Sequence, residues 1–224
     1  MKTRPLSTRE LKTRQLTTHE LKTPSGAEGA DAHLIERRTG GTTLLSGGFL
    51  EVRRDNVLLP DGAAATREYV QHPGAVAVIP VLDDGRVVLV RQYRYPLGKV
   101  LLEWPAGKLE KGEQQLLCAQ RELQEETGFV AREWAYAGEI HNAAAYSSES
   151  IWLWFARGLQ AGPPRPDAGE FVETVCLRID ELEALEARGE LHDVKTLIGL
   201  RWLQQMQAGL KACTWHSKAS GTAL

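Results

Sequence analysis

Short β-like runs alternate along the chain with a few helical stretches. The segments 48–53, 75–82, 87–93, 133–140, 151–156 and 171–177 carry β-branched residues or a period of two, and predict strands. Asp83-Asp84-Gly85 separates two apolar runs, and glycine enters positive φ without steric cost, so a hairpin is expected there. The stretch NVLLPDG at 56–62 ends in a second turn. Helical spacing occurs at 114–126, 180–188 and 193–208, with Gly189 between the last two. Hairpins with a few helices, and no repeated strand–helix–strand series, predict an α+β chain.

The ends look different. KTRPLSTREL at 2–11 is followed by KTRQLTTHEL at 12–21, a ten-residue period that fits no solenoid. Leu6, Leu11, Leu16 and Leu21 are spaced by five and walk around a helix instead of marking one face. Residues 1–30 therefore read as a disordered basic arm, 31–211 as one folded domain, and 212–224 as a flexible tail. Composition refines this only slightly. The 224 residues hold 27 Lys+Arg and 29 Asp+Glu, a net charge of −2, which gives no reason to expect nucleic acid or an anionic membrane as partner. No apolar run reaches the roughly 18–20 residues that span a bilayer, and no apolar leader follows the basic start. Cys118, Cys176 and Cys213 are odd in number and show no CxxC spacing, which favours a reducing cytoplasm over a disulfide framework.

The candidate chemistry lies in GKLEKGEQQLLCAQRELQEETGF, 107–129. Leu116, Ala119 and Leu123 recur at helical spacing and face a core. Glu122 and Glu126, four apart, point the same way, with Glu125 beside them. A glutamate stripe alone is ordinarily a solvated helix face. Carboxylates that converge repel one another, however, and are stable together around a hard divalent cation such as Mg²⁺ or Mn²⁺. Arg121 can hold Glu125, and Gly107 would let the preceding loop approach the helix and present the Ala106 carbonyl to the same cation.

The full spacing resembles the Nudix box. Gly107, Glu113, Arg121-Glu122-Leu123, Glu125-Glu126 and Gly128-Phe129 occupy all nine fixed positions of that 23-residue pattern. The resemblance implies an α/β/α sandwich around a mixed sheet, and metal-dependent hydrolysis of a nucleoside diphosphate linked to another group. It implies Glu122, Glu126 and the Ala106 carbonyl as Mg²⁺ ligands, with Glu125 assisting and Arg121 and Glu113 in support.

The flanks HPGAVAVIPV (72–81), RQYRYPLG (91–98), LEWPAGKLEKGE (102–113) and KTLIGLRWL (195–203) resemble the ADP-ribose pyrophosphatase branch. That branch implies N-terminal antiparallel strands, a homodimer, and substrate contacts at Arg94, at Glu103 and, across the dimer interface, at Arg67. The loop HNAAAYSSES departs from the branch, with Ala144 where a proline is usual, which keeps GDP-mannose and other nucleotide sugars open as substrates. For the general base, Glu170 in PPRPDAGEFVETV is the best match for a late-loop carboxylate. Asp167 lies close, Ala168 stands where some relatives carry the acid, Glu173 reads as a strand residue, and Glu149 is a further candidate. His72 and His141 have turn or packing roles open to them, Trp104 is expected to pack under the box loop, and Phe49 or Tyr69 could stack a purine. A nucleotide-sugar sensor without hydrolysis is the competing class. The complete box and a 30-residue arm with no helix-turn-helix pattern argue against it.

Overall fold

The computed structural model describes residues 29–165 and 169–217. Three antiparallel strands come first, β1 (Arg37–Ser46), β2 (Glu51–Leu58) and β3 (Ala64–Gln71), in that order across a small sheet. β2 runs on past the expected 48–53 to Leu58. β1 and β3 escape the apolar pattern because nearly all of β1 is exposed and β3 buries no residue fully.

The main sheet is built from β4 (Ala75–Val81), β5 (Val87–Arg94), β6 (Lys99–Glu103), β7 (Ala106–Lys108), β8 (Phe129–Ile140), β9 (Ile151–Ala161), β10 (Val172–Leu177) and β11 (His216–Ser217). Its order is β10-β5-β4-β9-β8-β11, with β6 paired to β5 and β7 to β4. Every pairing is antiparallel except β4 with β9, which makes the sheet mixed. The helices are α1 (Gln115–Thr127), α2 (Ile179–Ala187) and α3 (Val194–Gln207), each within one residue of the start and end expected from spacing.

The continuous apolar run of β4 reflects burial on both faces. Val76 and Val78 pack toward Cys118, Ala119 and Leu123 of α1, together with Trp134 and Trp154. Ala75, Ala77 and Ile79 point the other way, toward Leu182 of α2 and Leu200 and Leu203 of α3. Two helical layers thus enclose one sheet, the α/β/α arrangement, with the N-terminal strands as a separate sheet. Residues 1–28 and 218–224, which hold nearly all of the repeat arm and part of the expected tail, lie outside the described residues. The first part of that tail returns to the sheet. His216 and Ser217 pair with Trp134 and Glu133, and Trp215 packs on the core beneath the guanidinium of Arg157. Among the described residues no helix is long and apolar enough to cross a membrane, and all three cysteines are free.

Candidate active site

Helix α1 carries the box. It starts at Gln115, after a turn that Gly112 makes at φ +80°. Gly128 at φ +74° ends it, donating its N–H to Gln124 O at 2.9 Å. The apolar stripe faces β4, as its spacing requires, and this turns the glutamate stripe toward β7. Glu122 and Glu126 become 7% and 3% exposed, an unusual depth for two carboxylates on one helix.

Each is held by one oxygen. Glu122 Oε1 accepts from Arg121 Nη1 at 2.7 Å, and Glu126 Oε2 accepts from the Ala106 N–H at 3.0 Å. Burial pushes Glu122 up to about 7; Arg121 opposes the rise, and Glu125 and Glu170 add to it. Burial pushes Glu126 up to about 8, against the Ala106 N–H and with repulsion from Glu122 and Glu170. Gly107 allows the approach: a Cβ there would lie 1.9 Å from Glu122 Oε1. No side chain larger than hydrogen fits while Glu122 keeps its place.

Arg121 ties the supporting residues together. Its Nε donates to Glu113 Oε1 at 2.9 Å, Nη2 to Glu113 Oε2 at 3.0 Å, and Nη1 to Glu125 Oε2 at 2.9 Å. The Arg121 guanidinium holds the Glu113 carboxyl down to about 2, outweighing burial.

These groups open onto a cavity of about 810 Å³. It is lined by Glu122, Glu126, Ala106, Arg121, Arg94, Glu103 and Glu170, seven of the nine site residues expected from sequence. Glu125 does not line it and stays at the side of Arg121. Arg67 does not line it either: on β3 it pairs with Glu36 and donates to Thr66 O. Asp167 and Ala168 lie outside the described residues. Glu173 is a strand residue paired with Arg91, as its sequence context suggested.

Across the cavity Arg94 offers Nε and Nη2 to the two oxygens of Glu103, each at 2.7 Å. Glu103 reaches the wall but is only 1% exposed, with both oxygens committed. Burial disfavours its charge, yet Arg94 and Lys195 outweigh that and hold the carboxyl below the usual range. Phe49 stands at the mouth with the Lys108 ammonium 4.2 Å from its ring centre, whereas Tyr69 donates to Asp55 elsewhere. His72 lines the wall, but its Nδ1 accepts the Gly74 N–H at 3.0 Å, and His141 meets Glu149 O, so both shape loops. Trp104 packs on α3, with Nε1 donating to Thr196 O at 3.1 Å.

Sequence reasoning missed Lys108, Asn142, Asp193 and Lys195, which also line the cavity. For Lys195 the sequence offers only a cation at the head of the apolar stretch KTLIGL, which does not name its partners. Among the described residues seven carboxylates line the cavity against four Lys and Arg side chains. No three His, Cys, Asp or Glu side chains among them already converge as a metal-holding group. The donor set nonetheless suits a hard divalent cation, since buried, mutually repelling carboxylate oxygens are what such an ion binds.

The fold and the box together define the class, and the comparisons agree. A family model described as NUDIX domain matches residues 71–198. The chain belongs to the Nudix family. It is 38% identical over 178 residues to a methanol dehydrogenase activator of Bacillus methanolicus, covering 78% of this chain and 96% of that one. It is 36% identical over 178 residues, with the same coverage, to an ADP-ribose pyrophosphatase of Bacillus subtilis. It is 42% identical over 127 residues to an ADP-ribose pyrophosphatase of Mycobacterium tuberculosis, covering 56% of this chain and 61% of that one. A crystal structure of an ADP compounds hydrolase shares the fold at TM-score 0.70 and 20% identity, covering 78% of this chain and 95% of that one. Membership of the family implies a divalent-metal-dependent hydrolase.

Proposed function

We propose that the chain hydrolyses the pyrophosphate bond of ADP-ribose, adding water to give AMP and ribose 5-phosphate. The observation that carries this reading is one cavity in which Arg94 faces a buried carboxylate pair, close enough for Arg94 and Glu126 to sense each other's charge. The ADP-ribose pyrophosphatases among the relatives supply the substrate.

Glu122, Glu126 and the Ala106 carbonyl would hold Mg²⁺ or Mn²⁺, which when bound offsets pyrophosphate charge and acidifies a water. Arg121 fixes the rotamers of Glu122 and Glu125. Arg94 binds a non-bridging phosphate oxygen, a task suited to its planar fork, while Glu103 keeps the guanidinium in plane. Glu170, on the cavity wall, accepts the proton of the attacking water. Phe49, 58% exposed at the mouth, offers a ring face to the base. Arg67 serves the site of a second subunit in a homodimer.

A panel of ADP-ribose, GDP-mannose, UDP-glucose, diadenosine polyphosphates and NADH, each with Mg²⁺, tests the reading. ADP-ribose is expected to give the highest kcat/KM. A higher value for GDP-mannose would replace the substrate while keeping the chemistry, and no turnover of any of them would favour a sensor.

A further inference from the structure

Helix α3 buries a lysine. Lys195 is 7% exposed in a first turn whose other buried residue, Thr196, is wholly covered. A buried ammonium is costly unless paired, and an aliphatic residue would fill that space more cheaply. Lys195 Nζ meets two carboxylates, Glu103 Oε2 and, at 2.9 Å, Asp193 Oδ1. Asp193 caps α3 through its other oxygen, which accepts the Thr196 N–H at 2.9 Å and the Thr196 hydroxyl at 2.5 Å. Thr196 Oγ1 in turn accepts the Trp104 N–H at 3.1 Å, next along the chain from Glu103. The start of α3 is thus keyed to the end of β6 at the residue that grips Arg94.

Two physical consequences follow. Glu103 is gripped from both sides, so its carboxylate plane is fixed, and with it the plane of the Arg94 guanidinium. The charges also matter. Arg94 facing Glu103 and Asp193 without a second cation would leave this wall of an already acidic cavity anionic, where a pyrophosphate must come to rest. With Lys195 the four groups balance, and the guanidinium keeps an attractive field toward an incoming anion. We infer that Lys195 is a positioning residue for pyrophosphate binding, which acts through Glu103 on Arg94 without touching the substrate. This rests on Arg94 being the pyrophosphate contact, as proposed above.

The test is Lys195→Met, Lys195→Arg and Arg94→Gln, alone and combined, in the full chain with Mg²⁺. Lys195→Met is expected to raise KM for ADP-ribose about tenfold, more than it changes kcat, and Lys195→Arg to recover most of that loss. In the Arg94→Gln background Lys195→Met should add little, because the group it positions is gone. Full additivity of the two substitutions, or equal effects on KM and kcat with no rescue by arginine, would overturn the inference and leave Lys195 a structural residue. Thermal melts of every variant separate folding loss from these outcomes. Should Lys195→Met not fold, Lys195→Gln removes the charge while leaving an amide to meet the two carboxylates, and it carries the same KM expectation, which an unchanged KM would overturn. Calorimetric titration with inorganic pyrophosphate and Mg²⁺ keeps the inference separate from the substrate. If wild type ignores ADP-ribose but binds pyrophosphate about tenfold more tightly than Lys195→Met, the substrate reading fails and the positioning role stands. Equal pyrophosphate affinity in the two proteins overturns the positioning role.

Discussion

Glu126 is the residue on which the proposed chemistry most depends, being the deeper of two carboxylates whose charge is disfavoured by burial and mutual repulsion. Glu126→Gln keeps the shape and the bond from the Ala106 N–H while removing the charge. Turnover should fall about a thousandfold or more, with the circular dichroism spectrum unchanged. Near-normal turnover would remove Glu126 from the site. Gly107→Ala should be almost as damaging without changing any charge. Its Cβ would meet Glu122 Oε1 at 1.9 Å, and a displacement near 1 Å costs on the order of a hundredfold in rate. Glu113 supports a prediction in pH. Arg121 holds its carboxyl at about 2 in the folded chain against an ordinary 4.5, so the unfolded chain binds the proton more readily. The resulting stability is complete above 4.5 and disappears as pH falls toward about 2. The melting temperatures of wild type and Glu113→Gln should therefore differ at pH 6 and converge across that window. A gap that stays constant down to pH 2 would mean the pair contributes nothing through ionisation. At this scale the box was readable because its side chains are fixed by spacing on one helix. Lys195 was not, because its partners Glu103 and Asp193 come from β6 and from the turn before α3, and only the fold brings them together.

Helix α3 owes its position to one missing side chain. A Cβ at Gly199 would lie 2.2 Å from Trp104 Nε1, so the helix rests directly on the indole that follows Glu103. Gly199→Ala should destabilise the protein by about 1–3 kcal/mol through overpacking, although alanine is the better helix former. Urea unfolding measures this, and a rise in stability would show that the contact gives way freely. Burial made most of the elements legible, although β10 was read from its β-branched residues with none of them fully buried. The helices and the strands β4 and β9 carry strong apolar patterns because they lie in the sandwich. β1, with RRTGGTTLLS, is exposed along nearly its whole length and has no alternation to read. β6 and β7 are short and sit at the cavity, where the sequence serves the site more than the strand. β11 was read as tail because two residues cannot establish a period.

At the scale of the whole molecule, the role proposed for Arg67 needs a second chain. In a single chain it lies on the N-terminal sheet, paired with Glu36 and away from the cavity. That sheet and the turn between its first two strands leave Leu44, Leu45 and Leu50 between 40% and 50% exposed, apolar surface of the sort a second copy covers. If Arg67 reaches the partner's site in a two-fold dimer, each site takes its box from one chain and its arginine from the other. Arg67→Ala and Glu126→Gln would then be inactive alone yet complementary. Mixed, unfolded and refolded together in equal amounts, they give heterodimers with one site that has both Glu126 and Arg67, and one with neither. Half of the dimers are mixed and half of their sites are intact, so activity should recover to about a quarter of wild type. Light scattering on each protein should report two chains per particle. If Arg67 acts within its own chain, every site in the mixture lacks one of the two residues and no activity returns. A monomer by light scattering would likewise remove Arg67 from the chemistry and return it to a surface pair with Glu36.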